Sequence, residues 1–448
     1  MTMKTPICDF VKGYADSDTL RLHMPGHKGN ALLGPEPLDI TEIDGADSLY
    51  DADGIIAESE KNASALFGCH TFYSTEGSSH CIRAMLQLVG LFARRAGKKP
   101  TVAAARNVHK SFLSAVALLD IAVTWLYPEK ADSYLSCKLT ADEVDAALTA
   151  MKEKPTAVYL TSPDYLGNTA DIAAVAAVCH RHGVLLLVDN AHGAYLRFLP
   201  VSRHPIDLGA DMCCDSAHKT LSALTGGAYL HVSLAAPTLF VEQAKNALAL
   251  FGSTSPSYLI LQSLDAVNAE LAADYPSRLA AFISMADTLR ARLREYGYQL
   301  IGDEPLKLTL RTKPVGYDGR QFARILRENG IECEFADPDF VVMMLAPSIG
   351  EDGLARLSTV LTSIPLLPAL TDEPPIFRRL TAAMSVREAT LAPCETVAAS
   401  ACVGRVLAAP SVSCPPAVPI AVCGERMDEA TAACFAYYGI TKCTMVIE

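Results

Sequence analysis

The chain has 448 residues, half of them hydrophobic and a fifth charged, which fits two or three globular domains and excludes a mainly disordered chain. Lys plus Arg number 38 against 50 Asp plus Glu, a formal net charge of −12, and this balance argues against a nucleic-acid or anionic-membrane binder. No apolar run approaches the length of a bilayer span, and the opening MTMKTPICDF lacks the apolar core of an export signal, so a cytosolic protein with reduced thiols is expected for the 14 cysteines.

Residues 1–45 read as an arm, rich in Pro, Gly and Asp and weak in periodicity. Residues 55–67 (IIAESEKNASALF) are amphipathic and stop at Gly68, as a helix does. Residues 78–96 predict a second helix. Strands are then expected at 101–105, 122–127, 156–161 and 184–189, alternating with helices at 109–119, 140–152 and 171–182. Such alternation means βαβ units and a mainly parallel sheet sandwiched by helices. The run VLLLVD is apolar throughout, which fits a strand buried on both faces. Further strands are expected at 211–215 and 227–232, then a long helical region from about 257 to 297. From about 299 a strand–helix–strand pattern predicts a smaller α+β region, with a helix near 319–329 and a tail punctuated by Pro374–Pro375 and Pro415–Pro416. The division expected is an arm (1–45), a major α/β domain (46–297) and a C-terminal α+β region (298–448).

In an open α/β sheet, ligands sit outside the carboxyl ends of the strands. Three segments stand there. Asp189 ends VLLLVD and is followed by Asn190, Ala191 and His192; its carboxylate serves as a cap, as a buried hydrogen-bond acceptor, or as partner to a cation. Ser216, His218 and Lys219 follow the next strand in CDSAHKTLSALTGG, where Lys219 is either a surface charge or a nucleophile. STEGSSH, residues 74–80, offers backbone N–H groups and hydroxyls at a helix start, which serve as a cap or as an anion site suited to phosphate. Glu76 suits such a site only if its carboxylate points away. One lysine for a Schiff base, one carboxylate for a pyridinium nitrogen and one helix N-terminus for a phosphate together match what pyridoxal 5′-phosphate requires.

RLHMPGHKGN (21–30), TEGSSH (75–80), ARNVHKS (105–111), LLVDNAHGAY (186–195), DSAHKTLSALTGG (215–227) and PPAVPIAVCGER (415–426) occur in one order along nearly the whole chain. In these segments the chain resembles the ornithine/lysine/arginine decarboxylase family, in a short form without the additional N-terminal domain of its long members. The resemblance implies the aspartate-aminotransferase-type fold with its seven-stranded sheet, pyridoxal 5′-phosphate as cofactor, a basic amino acid as substrate, and a homodimer or higher homo-oligomer. It implies that Lys219 carries the Schiff base, that Asp189 keeps the ring nitrogen protonated, and that His109 stacks on the ring. Gly77, Ser78 and Ser216 would bind phosphate with His218 beside it, and His192 would line the pocket near the ring edge. Glu425 is the residue expected to meet the distal cation of the substrate. The alternatives are another reaction of the same cofactor class, such as transamination or elimination, and a non-catalytic protein of the same fold. His23 and His27 have the i, i+4 spacing of a helical zinc pair, but Pro25 and Gly26 between them argue against a helix, and no metal is expected.

Overall fold

The computed structural model describes residues 3–129, 133–375, 379–410 and 416–447. Pro415, the first residue of the PPAVPIAVCGER segment, lies outside them. The elements run α1 (Pro6–Ala15), α2 (Ile55–Phe67), β1 (His70–Ser74), α3 (Ser78–Arg95), β2 (Thr101–Ala105), α4 (Lys110–Leu119), β3 (Ala122–Leu126), α5 (Ala141–Ala150), β4 (Ala157–Thr161), α6 (Ile172–Arg181) and β5 (Leu185–Asp189). After these come β6 (Met212–Asp215), α7 (Ala217–Thr220), β7 (Ala228–Val232), α8 (Thr238–Ala249), α9 (Tyr258–Ala272) and α10 (Tyr275–Tyr296). The remainder carries β8 (Gln299–Ile301), β9 (Lys307–Arg311), α11 (Gly319–Glu328), β10 (Phe335–Ala336), β11 (Phe340–Met344) and α12 (Gly350–Ser363), followed by short strands and two further helices.

Seven strands are hydrogen-bonded in the order β1-β7-β6-β5-β4-β2-β3, the mainly parallel α/β sheet expected. The pairs β5–β6 and β2–β3 are parallel, while β7 runs antiparallel to both β6 and β1. A second sheet, β10-β11-β9-β8, is antiparallel throughout. Two compact units result, and they interleave along the chain. The first comprises residues 1–99, 156–158 and 172–279; the second comprises 100–155, 159–171 and 280–448. The division by chain order at 45 and 297 is a different cut through the same molecule.

In the first unit, every residue of β5 is buried, as its unbroken apolar run requires. Phe67, at the end of α2, packs on Tyr229 and His231 of β7 with ring centroids 5.3 and 4.5 Å away. Gly68 ends α2 at φ +70°, and its N–H donates to Ser64 O at 2.8 Å. The start of α2 is capped from a distance: Asp47 Oδ2 accepts from the N–H groups of Gly54 and Ile56, both at 2.9 Å. The arm holds a helix that its weak periodicity concealed. The first N–H groups of α1, Ile7 and Cys8, donate to Asp265 Oδ2 of α9 at 2.9 and 3.0 Å, so its cap lies more than 250 residues away in the chain. The single helical region expected over 257–297 is two helices, broken at Ala273–Asp274, with Pro276 in the first turn of the second.

In the second unit, α5 opens with a capping box between Thr140 and Glu143, and α11 is capped by Asp318. The cysteines among the described residues are free thiols, and most are buried. Among the same residues no helix is long and apolar enough to cross a membrane.

Candidate active site

β5 and β6 lie side by side and parallel, with Asp189 paired to Cys214 in register, so their carboxyl ends deliver Asp189 and Ser216 to the same edge of the sheet. This is where an open α/β sheet places its ligands. Asp189 is 2 % exposed, and its Oδ1 accepts from the Ala191 N–H at 3.1 Å and the Cys214 thiol at 3.6 Å. Behind it, Asn190 Nδ2 donates to Asp215 Oδ1 at 2.7 Å. The turn after β5 is tight: a Cβ on Gly193 would meet Asn190 Oδ1 at 2.0 Å, so only glycine fits there.

Lys219 sits in the one-turn helix α7, its N–H donating to Ser216 O at 3.0 Å. Its Nζ is 3.1 Å from His192 Nε2, so the turn after β5 and the turn after β6 meet at the amine. The neighbouring His218 is pinned from both ends: its N–H donates to Gly227 O at 3.1 Å and its Nδ1 to the same oxygen at 2.9 Å. Burial lowers the His218 imidazole below its ordinary pKa; the Gly227 carbonyl opposes this and the Lys219 charge adds to it.

The segment expected to take a phosphate lies at the start of α3. Gly77 adopts φ +72°, which glycine tolerates, and its N–H donates to Gly226 O at 2.8 Å. The N-terminus of this 18-residue helix has no side-chain cap and no acidic residue in its first turn. The positive end of its dipole therefore favours an anion there. Ser216 Oγ donates to Ser78 Oγ at 2.8 Å, which brings two hydroxyls from separate segments to that end. The Glu76 carboxylate has its own partner: Oε1 accepts from the Ser253 N–H at 2.7 Å.

Sequence reasoning missed the polar network underneath. Asp215 Oδ2 lies 3.0 Å from His204 Nε2 and 3.2 Å from His231 Nε2, and all three side chains are fully buried. Burial alone raises the Asp215 carboxyl, but the two imidazoles more than offset this and hold it well below the usual range. This ionised carboxylate anchors Asn190 and thus ties the end of β5 to the end of β6. His204, Asp215 and His231 share no short spacing, so nothing in the sequence joins them.

Two expected residues lie in the second unit. His109 is the N-cap of α4; its Nδ1 accepts from the Ser111 N–H at 3.2 Å and lies 2.7 Å from Ser111 Oγ. Glu425 is 3 % exposed and accepts from Arg106 Nη2 at 3.0 Å and from the Val422 N–H at 2.8 Å. Arg106 also donates to the carbonyls of Pro419 and Ile420, and the Lys110 N–H donates to Ala417 O at 2.9 Å. The tail thus docks on the segment that carries His109, and the cation on Glu425 in this structure is Arg106. Glu425→Gln is expected to lower thermal stability by about 3 kcal/mol, because it leaves a buried guanidinium without its carboxylate. Thermal unfolding measures this, and an unchanged melting temperature would show the pair to be dispensable. His23 and His27 are taken up separately, by Tyr14 at 2.6 Å and Asp39 at 3.3 Å.

In the first unit the described residues supply a lysine amine, a buried carboxylate one strand away, and an uncapped helix N-terminus with two hydroxyls. That donor set fits a pyridine aldehyde phosphate. Ser78→Ala and Ser216→Ala are each expected to weaken binding of pyridoxal 5′-phosphate by about 1.5–3 kcal/mol, the worth of one charge-assisted hydrogen bond. Cofactor dissociation at the wild-type constant in both variants would move the phosphate elsewhere.

Residues 5–301 match the family model described as Orn/Lys/Arg decarboxylase, major domain. The chain is 28% identical to an arginine decarboxylase of Bacillus subtilis, over 95% of this chain and 92% of the relative. It is 29% identical to an arginine decarboxylase of Halalkalibacterium halodurans, over 96% of this chain and 92% of the relative. Among solved structures, the lysine decarboxylase of Francisella novicida superposes with a TM-score of 0.82 at 16% identity, covering 99% of this chain and 81% of that one.

Proposed function

The chain belongs to the ornithine/lysine/arginine decarboxylase family, and from that premise we propose that it decarboxylates L-arginine to agmatine and CO₂ with pyridoxal 5′-phosphate as cofactor. Decarboxylation of a basic amino acid is the activity the family carries. The choice of arginine is supported by the two relatives above, which match over more than nine-tenths of both chains.

The observation that carries the reading is the delivery of Asp189 and Lys219 to one edge of the sheet by the parallel pair β5–β6. When bound, the cofactor supplies a protonated pyridine ring that takes up the electron pair left on Cα as CO₂ departs. Lys219 Nζ would hold its aldehyde carbon, Asp189 its ring nitrogen, and Gly77, Ser78 and Ser216 its phosphate, with His218 beside them. A carboxylate buried next to that nitrogen keeps a proton on it, because the charge of Asp189 is compensated only while the proton stays. The Asp215 network supports this reading by tying Asn190, next to Asp189, to the end of β6. The ring-stacking role of His109 and the pocket-lining role of His192 are proposed from the family resemblance. Glu425 is carried as the proposed partner of the substrate's distal cation, in competition with Arg106; a wild-type KM for Glu425→Gln would remove it.

We further propose a cytosolic protein that is at least a homodimer. Leu20, Leu22, Leu32 and Leu33 of the arm are between 78 and 88% exposed, which supports a covering partner of the same chain. Light scattering of a fully active monomer would reject this. The substrate is tested by incubating the cofactor-loaded protein with arginine, lysine and ornithine and separating the products. Agmatine as the fastest product supports the proposal; cadaverine or putrescine in its place would reassign the substrate, and oxo acids alone would reassign the reaction.

A further inference from the structure

The amine of Lys219 and the imidazole of His192 are in hydrogen-bond contact at 3.1 Å. While Lys219 is an ammonium it has only donors, so Nε2 of His192 must then be the acceptor, which requires the neutral tautomer with its proton on Nδ1. Both partners are held by the fold. His192 is 5 % exposed in the turn that Gly193 closes, the Gly193 N–H donating to Asn190 O at 2.7 Å. Lys219 is seated by α7. The adjacent His218 is placed differently, its Nδ1 spent on the Gly227 carbonyl.

A lysine amine attacks a carbonyl only in its neutral form. At its ordinary pKa, roughly one amine in a thousand is neutral near pH 7.5. A base already hydrogen-bonded to the nitrogen removes that obstacle, because the proton has a place to go. We propose that His192 is a catalytic residue of cofactor loading: it accepts a proton from Lys219 Nζ so that the amine can attack the aldehyde of pyridoxal 5′-phosphate. This rests on the reading above that Lys219 holds the cofactor. In the step a C=N double bond forms in place of the aldehyde C=O double bond, which breaks. Two of the three ammonium protons leave with the aldehyde oxygen as water, one of them carried by the imidazole, and the third stays on the nitrogen. His192 ends neutral, and no electrons are gained or lost.

The test uses the cofactor-free full chain and needs no turnover. Pyridoxal 5′-phosphate is mixed in and the visible band of the lysine-bound cofactor is followed in time. Binding without bond formation is measured separately with 4′-deoxypyridoxine 5′-phosphate, which has no aldehyde. His192→Gln and His192→Ala are each expected to form the band roughly 10²-fold more slowly. Affinity for the deoxy analogue should fall far less than the rate does, and added imidazole should raise the rate of His192→Ala. Band formation at the wild-type rate in either variant would overturn the proposal. So would a slow rate that imidazole does not raise, or one matched by an equal loss of analogue affinity, since His192 would then only hold the cofactor. A wild-type chain that forms no band would instead reject the assignment of Lys219.

Discussion

Lys219→Ala is expected to lose decarboxylation by more than about a thousandfold and to lose covalent retention of the cofactor entirely. Among the described residues no other amine is seated in α7, beside the carboxyl ends of β5 and β6. Lys110 is exposed on α4, and Lys245 is engaged with Glu60 at 2.5 Å. Borohydride reduction followed by peptide mapping reads the result. The wild-type chain should carry the cofactor on the peptide containing Lys219, and the variant should carry none. The fold should survive, because Lys219 lends its backbone to α7 and its side chain to no core. A variant with normal turnover and a reducible cofactor bond would place the chemistry on another lysine.

Asp189→Asn should keep the sheet intact and lose about 10²–10³-fold in kcat, or roughly 3–4 kcal/mol. The side chain is nearly isosteric, and the Oδ1 that accepts from Ala191 is retained. What disappears is the negative charge. A neutral amide cannot hold a proton on a pyridine nitrogen, so the ring would no longer draw electrons from Cα. The loss should fall on kcat more than on KM, because the charge matters as CO₂ leaves. Equal kcat in variant and wild type would assign the ring nitrogen to a different acid.

Much of this was legible in local sequence. The apolar run ending at Asp189 specified a buried strand with an acid at its tip. Gly68 marked a helix end, and the strand expected at 211–215 stood just ahead of Ser216 and Lys219. What stayed hidden depends on partners far apart in the chain. The cap of α1 is Asp265, and the cap of α2 is Asp47 acting across a loop, so in neither helix does the N-cap residue's own side chain hold the first N–H groups. β1 was missed because HTFYS is short and mixed, and its pairing with β7 joins residues about 160 apart. The same holds for His204, Asp215 and His231, which only the fold brings together. Glu425 read as an acid awaiting a substrate because Arg106, 319 residues earlier, gives no local sign of reaching it.

Carboxyl-labelled L-arginine tests the central claim most directly. The cofactor-loaded protein is incubated with it, and the label is followed alongside the products. Release of labelled CO₂ in step with agmatine, absent in Lys219→Ala, is the result expected. Retention of the label in a 2-oxo acid, with no CO₂ released, would contradict the account and make the same residues the site of an amine transfer.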